Sequence, residues 1–250
     1  MLARKRLLLM HFESGVGHIG GNLSSLDAMM MVFHEFKRET DEFILSKGHS
    51  AGALYVTLWS LGLLQDEALK DFHKDNTLLP GHPPAEGLPD IRFATGSLGH
   101  GLSLAAGLAM AARLQGQDFH VYCLTSDGEW QEGSTWEAFM FACHHKLSNL
   151  TILVDRNGLQ GFGSTKDIAS MDRLIDRVSG FPCNPVIVDG HNLEDLRLAL
   201  TAPSVDCPKF ICMETIKGSG VSFMENKMDW HYLPMNLDQY KQAVQDLESS

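Results

Sequence analysis

The fold is decided by residues 119–128, FHVYCLTSDG, where a short apolar run ends at Ser126-Asp127-Gly128. A second apolar run ends in a similar way at residues 155–159, DRNGL. The carboxylate of Asp127, the amide of Asn157 and a free main-chain carbonyl at Leu159 are the hard oxygen ligands that Mg²⁺ requires. The glycine after Asp127 lets backbone N–H groups approach a diphosphate. An Asp-Gly pair alone usually marks a turn, but the two stretches together predict a magnesium and diphosphate site.

Two apolar spacings alternate along the chain and predict the fold class. An order of strand, helix, strand, helix indicates an α/β fold in which helices cover both faces of a parallel sheet. Ligands of such folds bind at the carboxyl ends of the strands, where Asp127 and Asn157 fall. Helical spacing occurs at Leu26, Met30 and Phe33, at Leu54, Leu58 and Leu61, and across residues 102–114; strand-like runs occur at residues 43–45, 119–124, 150–154, 186–188 and 210–213.

Two stretches without periodicity are predicted to be long loops. They are residues 75–95, which are rich in Pro and Gly, and residues 217–234. Loops of this length usually serve a functional site. Residues 236–247 predict an exposed terminal helix. Because no repeat, low-complexity tract or linker divides the chain, residues 1–250 are predicted to form a single domain.

Composition argues against several classes of function. The 31 acidic and 20 basic residues give a formal charge of −11, which disfavours a nucleic-acid-binding surface. No run approaches the apolar length of a membrane span, and residues 7–10 predict a first helix rather than a leader. Five cysteines without paired or zinc-type spacing predict reduced thiols and a cytoplasmic location.

Histidines occur in a series of Gly- or Pro-marked turns. The segments are residues 14–21 (SGVGHIGG), 46–50 (SKGHS), 80–83 (PGHP), 96–101 (GSLGHG), 189–191 (DGH), 217–225 (KGSGVSFME) and 230–231 (WH). Together with the metal motif, this series resembles the N-terminal half of transketolase, and above all the small subunit of two-chain (split) transketolases. The resemblance covers nearly the whole chain, from Ser14 to His231. It implies a thiamine diphosphate-binding fold whose cofactors are thiamine diphosphate and Mg²⁺, or Ca²⁺ in its place.

The resemblance implies which residues form the cofactor site. The metal would be held by Asp127, Asn157 and the main-chain carbonyl of Leu159. His49 and His231 would reach toward the diphosphate, and the loop around Gly96 would meet the aminopyrimidine ring. The residues implied to bind the cofactor are His49, Gly96, Leu98, Gly128, Glu129, Asn157, Lys217 and His231.

Four residues are implied to act in catalysis: His18, His82, His231 and Glu132. By analogy, His82 would hold the C1 hydroxyl of a ketose and His18 would steer the oxygen or proton of the acceptor, since an imidazole can donate hydrogen bonds and relay protons near neutral pH. Glu132 and Glu137 match two glutamates that join the two active sites of a dimer through a buried acidic network; without the resemblance they would read as a solvated helix face. The ordinary interpretation, a satisfied or solvent-facing side chain, is kept for His11, His34, His73, His120, His144, His145 and His191.

Three positions depart from the family pattern. His100 stands where the family usually has Gln, Ser126 where it has Gly, and Ile19 where it has Pro. Neither Ser126 nor Ile19 has to supply a metal ligand. His100 is expected near the substrate channel, so it leaves the identity of the sugar or of the acceptor open.

The resemblance also implies a partner. In the family, a Glu of the pyrimidine-binding domain protonates the cofactor ring and basic residues of that half bind the sugar phosphate, and no motif here offers them. We therefore expect a C-terminal, pyrimidine-binding transketolase-like subunit, an α2β2 hetero-oligomer and a small-molecule ketose donor, with no nucleic acid and no membrane among the partners.

The expected function is transfer of a two-carbon ketol unit from a ketose or ketose phosphate, by an enzyme active only with its partner subunit. One alternative is transfer to an unusual acceptor, such as a carrier-protein thiol or a modified sugar. Another is a non-catalytic interaction subunit, against which Asp127, Asn157 and the four matched histidines argue. A histidine-rich transition-metal protein is disfavoured because the histidines lack local ligand spacing.

Overall fold

A computed structural model describes residues 1–249 and is built around a parallel β-sheet. Its strands are β1 (Glu42–Leu45), β2 (Val121–Ser126), β3 (Leu150–Arg156), β4 (Leu159–Gln160), β5 (Gly163–Ser164), β6 (Pro185–Asp189) and β7 (Lys209–Glu214). Five of them form one sheet in the order β1-β2-β3-β7-β6, and every pair in it is parallel. The short strands β4 and β5 form a separate antiparallel hairpin.

Helices cover both faces of the sheet, as the alternating pattern predicts. The α-helices of the described chain are α1 (Leu2–Ser14), α2 (Ile19–Met31), α3 (Ala51–Ser60), α4 (Asp66–Leu69), α5 (Gly101–Leu114), α6 (Gly133–His144), α7 (Thr165–Ala169), α8 (Leu174–Val178), α9 (Leu193–Thr201) and α10 (Leu237–Ser249). On the face toward which Leu153 points lie α1, α2, α3, α9 and α10, and on the face of Val154 lie α5, α6 and α8.

Successive residues of a strand point to opposite faces, so the central strands feed two cores. In β3, Ile152 and Val154 pack into one core while Leu153 packs into the other. In β7, Phe210 and Ile211 divide in the same way. Burial on both faces explains why these strands read as continuous apolar runs rather than as alternating ones.

The expected loops and terminal helix are present. Residues 75–95 contain no helix or strand, and residues 217–234 contain only a 3₁₀ turn at Met228–His231. The elements that the apolar pattern does not predict are the β4–β5 hairpin and helices α4, α6, α7, α8 and α9, most of which are too short to show a period. Helix α9 does carry a capping signal, because Asn192 Oδ1 accepts from the backbone N–H of Glu194 at 3.0 Å.

Within residues 1–249, no helix is both long and apolar enough to cross a bilayer. The five cysteines are buried and carry free thiols. Burial raises the pKa of the Cys212 thiol to about 11, so this thiol is protonated and unreactive at neutral pH.

The strands of the main sheet end at a common edge, and the loops leaving that edge pack closely. Ser126 of β2 is level with Asp155 of β3. Gly101, the first residue of α5, lies against the loop after β1: a Cβ added there would lie 2.6 Å from the Cα of Ser46. Gly107, two turns further along α5, would have no neighbouring atom within 4 Å of an added Cβ.

We expect Gly101→Ala to lower the free energy of unfolding by about 1–3 kcal/mol, because the new methyl group overlaps the backbone at Ser46. Gly107→Ala is the matched control on the same helix, and it should raise the free energy of unfolding by up to about 1 kcal/mol through helix propensity. Urea unfolding of both variants beside the wild type measures the difference. Equal stabilities for the two variants would contradict the close approach of α5 to Ser46.

Candidate active site

A cavity of about 510 Å³ lies at the carboxyl edge of the sheet. Its walls come from the start of α2, from the loops that follow β1, β2, β3 and β7, and from the long loop before α5. The residues predicted from the sequence that line it are His18, His49, His82, Gly96, Leu98, Gly128, Glu132, Asn157, Leu159, Lys217 and His231. Asp127 and Glu129 are predicted site residues that lie behind the wall.

Asp127 directly follows β2 and is almost fully buried, with 1% of its surface exposed. One carboxylate oxygen accepts from the N–H of Gly128 and the other from the N–H of Gly158, both at 2.8 Å. It faces an adjoining depression of about 340 Å³, which Asn157 also lines. Burial, and next the charge of Asp155, raise the pKa of Asp127 to about 6.

Asn157 and Leu159 present oxygens beside Asp127. The side-chain oxygen of Asn157 accepts from the N–H of Leu159 at 3.1 Å, and the carbonyl of Leu159 accepts from Lys217 Nζ at 3.3 Å. The Asn157 amide nitrogen donates to Asp155 at 3.2 Å, so its oxygen points the other way. These contacts leave lone pairs free on the Asn157 and Leu159 oxygens.

This donor set fits a hard divalent cation. Asp127 makes no ion pair within residues 1–249, and a cation beside it would favour the ionised form that burial disfavours. No three His, Cys, Asp or Glu residues of the described chain gather in a group able to hold a metal. The oxygens therefore suit Mg²⁺ or Ca²⁺, with remaining ligands from a bound molecule, rather than a transition metal.

Three histidines from distant parts of the chain meet in the cavity. The ring centroids of His18, His49 and His231 are 5.2–5.9 Å apart. The backbone N–H of His18 donates to the carbonyl of His231 at 3.1 Å, and His18 is the N-cap of α2 with a left-handed backbone, φ 64°. This backbone conformation is uncommon in residues other than Gly.

All three imidazoles are held in the neutral form. Burial, and next the charge of Lys217, lower the pKa of His231 to about 3. Burial, and next the charge of Lys47, place the pKa of His49 well below its usual range. The pKa of His18 is lowered by burial and then by His82. Each ring thus has one donor and one acceptor nitrogen at neutral pH.

Lys217 brings a positive charge to the same wall. The side chain is buried, and its Nζ lies 2.6 Å from Nδ1 of His231. Burial, and next the charge of Lys47, lower the pKa of Lys217 to about 8, so the ammonium is still charged at neutral pH. An ammonium, neutral imidazoles and the backbone around Gly128 form a wall suited to the phosphate groups of a ligand.

His82 is delivered by the long loop before α5. The hydroxyl of Tyr55 donates to the carbonyl of Pro80 at 2.8 Å and holds this loop against α3. The ring packs on Gly96, whose φ is 137°; a Cβ there would lie 2.7 Å from Cδ2 of His82. Burial, and next the charge of His73, lower the pKa of His82.

Glu129 does not present its side chain to the cavity, contrary to the expected contact with the cofactor. Its carboxylate is fully buried and accepts from the hydroxyl of Ser46 and from the N–H of Gly99 at 2.8 Å. Ser126 N–H also donates to it, at 3.4 Å. Glu129 therefore ties the loops after β1 and β2 to the loop before α5, and burial raises its pKa.

Glu132, Glu137 and His100 lie on the surface of this chain. Glu132 is the N-cap residue of α6 and lines the cavity, while Glu137 lies further along the helix; both are exposed. His100 does not line the cavity. It lies in a separate surface depression with Ser97 and Leu104, so direct contact with a substrate in the cavity is not supported.

Several cavity residues were not predicted from the sequence. The β4–β5 hairpin supplies Gln160 and Phe162, and Phe162 is 87% exposed. Tyr232 also lines the cavity and packs against this hairpin, since its hydroxyl donates to the carbonyl of Gly161 at 2.7 Å. The signal that could have found the hairpin is the spacing of the glycines that follow Asn157. Gln131 and Ile168 also line the cavity.

We expect Gly96→Ala to displace His82 and to move the pKa of this imidazole back up toward 6.5, because the ring is pushed out of its buried position. Gly163→Ala is the matched control: its φ of 139° imposes the same backbone strain, but no atom lies within 4 Å of the added Cβ. The two titrations are followed by NMR of the His82 ring protons. An unchanged His82 pKa in Gly96→Ala would contradict this packing.

Comparison with known proteins places this geometry in a family. The family described as "Transketolase, thiamine diphosphate binding domain" matches residues 8–248. One of the subunits of the apulose-4-phosphate transketolase of Phocaeicola vulgatus is 37% identical over 257 residues, covering 98% of this chain and 90% of that protein. A 6-deoxy-6-sulfo-D-fructose transketolase subunit of a Clostridium species is 34% identical, covering 94% and 89%.

Longer transketolases match over part of their length. Human transketolase is 35% identical to 94% of this chain, which spans 39% of that protein. A solved transketolase from Pichia stipitis superposes with a TM-score of 0.90 at 27% identity, covering 99% of this chain and 40% of that one. The expected resemblance and fold are thus confirmed, and the chain belongs to the transketolase family as a thiamine diphosphate-binding domain.

Proposed function

We propose that residues 1–250 form the single thiamine diphosphate- and Mg²⁺-binding domain of a two-chain transketolase-type enzyme. The enzyme transfers a two-carbon ketol unit from a ketose or ketose phosphate. The observation that carries this proposal is the composition of the cavity. Oxygens that suit a hard cation and the buried ammonium of Lys217 lie next to three neutral histidines. The comparisons support it, because this chain matches two proteins described as transketolase subunits over 90% and 89% of their own length.

In this proposal Asp127, Asn157 and the Leu159 carbonyl hold Mg²⁺, or Ca²⁺ in its place. Lys217 and His231, which line the same cavity as Gly128, bind diphosphate oxygens. Thiamine diphosphate, when bound, supplies the electron sink that lets a carbon–carbon bond beside a carbonyl break and form. The backbone at Gly96 and Leu98 borders the space for the ring system, and Glu129 supports that backbone through Gly99.

The histidines act on the substrate by hydrogen bonding and proton movement. His82 binds the C1 hydroxyl of the ketose, and His18 donates to or takes a proton from the oxygen of the acceptor. His49 lies against α2 next to Gly21 and faces the diphosphate. Because their pKa values are lowered, His18, His49 and His82 remain neutral and can exchange a proton without first losing one to solvent.

A partner chain completes the site. We infer a C-terminal, pyrimidine-binding transketolase-like subunit in an α2β2 assembly. Among the described residues that line the cavity, only Glu132 carries a carboxylate, and it lies exposed at the mouth. We assign Glu132, with Glu137, to an acidic contact across the interface between subunits rather than to the ring nitrogen of the cofactor. The free buried thiols favour a cytoplasmic location.

We expect Asp127→Ala and Asn157→Ala each to abolish Mg²⁺-dependent binding of thiamine diphosphate, since a site with so few protein ligands should lose several kcal/mol with either. Asp172→Ala is the matched control, because Asp172 lines the same depression but is exposed. Calorimetric titration with cofactor and Mg²⁺, together with thermal unfolding, separates lost binding from lost folding. Wild-type affinity in Asp127→Ala would refute the metal assignment.

We expect ketol transfer only when this chain is mixed with a pyrimidine-binding partner subunit. The reason is that ring protonation needs a carboxylic acid buried against the cofactor, which the exposed Glu132 does not offer. A coupled assay with thiamine diphosphate, Mg²⁺ and a panel of ketose phosphates compares each chain alone with the mixture. Robust turnover by this chain alone would overturn the half-site assignment.

A further inference from the structure

Behind the cavity wall lies a network of buried polar side chains that has no role so far in binding the metal, the cofactor or the substrate. Its centre is Asp155, the penultimate residue of β3, which is completely buried. The carboxylate pairs with the ammonium of Lys47, also completely buried, in the loop after β1. Five side chains converge on this carboxylate: Ser24, Ser25, Lys47, Asn157 and Thr215.

We propose that the Lys47–Asp155 pair is a positioning device that fixes which end of the Asn157 amide faces the metal. The proposal rests on the proposed function, because it takes Asn157 as a metal ligand. Neither Lys47 nor Asp155 touches the metal or the substrate; both act through Asn157.

Hydrogen bonding to Asp155 sets the orientation of the Asn157 amide. An ionised carboxylate can only accept, so Asp155 Oδ2 requires the NH₂ end of Asn157, which donates to it at 3.2 Å. The Asn157 oxygen is then turned away and accepts from the N–H of Leu159 at 3.1 Å, with a lone pair to spare. An amide nitrogen has no lone pair for a metal, so the reversed orientation would remove one ligand.

Lys47 keeps Asp155 ionised and in place. Its Nζ donates to Ser25 Oγ at 2.7 Å and to the carbonyl of Gly21 at 3.3 Å, as well as to Asp155. The two charges form a direct ion pair although both side chains are completely buried. The pair thereby joins the loop after β1 and helix α2 to the end of β3, where the ligand residue follows.

The test measures Mn²⁺ binding by EPR in the assembled complex with thiamine diphosphate, for Asp155→Asn and for Asp155→Asn/Asn157→Asp. The single variant can accept either end of Asn157, and we expect Mn²⁺ affinity to fall about 10- to 100-fold. In the double variant the carboxylate of Asp at position 157 presents an oxygen to the metal in either orientation, and the net charge of the chain is that of the wild type. The Mn²⁺ affinity should therefore recover. A purely structural role would not produce this recovery.

Asp41→Asn is the matched control. Asp41 is also a buried carboxylate paired with a base, Arg38, but it lies at the amino end of β1. It should lose stability without losing Mn²⁺ affinity. If Asp155→Asn does not fold, Lys47→Met/Asp155→Asn takes its place, because it removes both charges at similar volume. We expect this double variant to bind Mn²⁺ more weakly than the wild type.

Two results overturn the positioning role: wild-type Mn²⁺ affinity in folded Asp155→Asn or in the Lys47→Met double variant, or no recovery in Asp155→Asn/Asn157→Asp. Failure of the proposed function looks different, because Asp127→Ala and Asn157→Ala would then bind Mn²⁺ as the wild type does. If those two lose the metal while Asp155→Asn keeps it, only the positioning role falls.

Discussion

A buried charge without a partner is destabilising by several kcal/mol, and this constraint governs the carboxyl edge of the sheet. Lys47 and Asp155 are both completely buried, so the loop after β1 and the end of β3 must come together for either charge to be tolerated. Strand β2 lies between them in the sheet. The two side chains therefore meet across the end of β2, and helix α2 supplies Gly21 and Ser25 as further partners.

Several residues that line the cavity lie close in sequence to members of this network. His49 lies two positions after Lys47, and Asn157 lies two positions after Asp155. Helix α2, whose N-terminus carries His18, is held by its serines. A fold that brings Lys47 and Asp155 together therefore also places His49, Asn157 and the start of α2 around one cavity.

The sequence predicts the sheet, its helical covers and most of the cavity lining, because buried parallel strands are continuous apolar runs and their ends carry the motif residues. It does not predict that the Glu129 side chain turns inward, since its partners Ser46 and Gly99 come from distant parts of the chain. Phe162 escapes prediction because strands of only two residues show no period. Tyr232 escapes prediction because it lies in a long loop without periodicity. Long-range partners such as Lys47 and Asp155 require the folded register.

The exposed rim of the cavity explains how a second protein chain could complete the site. Phe162, Ile168 and Tyr232 surround it and are exposed, whereas the imidazoles inside depend on burial for their neutral state. Covering these three side chains with a second protein chain would remove water from the cavity and lower its dielectric. The same contact that buries the rim would then hold the histidines more firmly neutral and strengthen the attraction of Lys217 for phosphate oxygens. Assembly and activation of the site are, on this argument, one physical event.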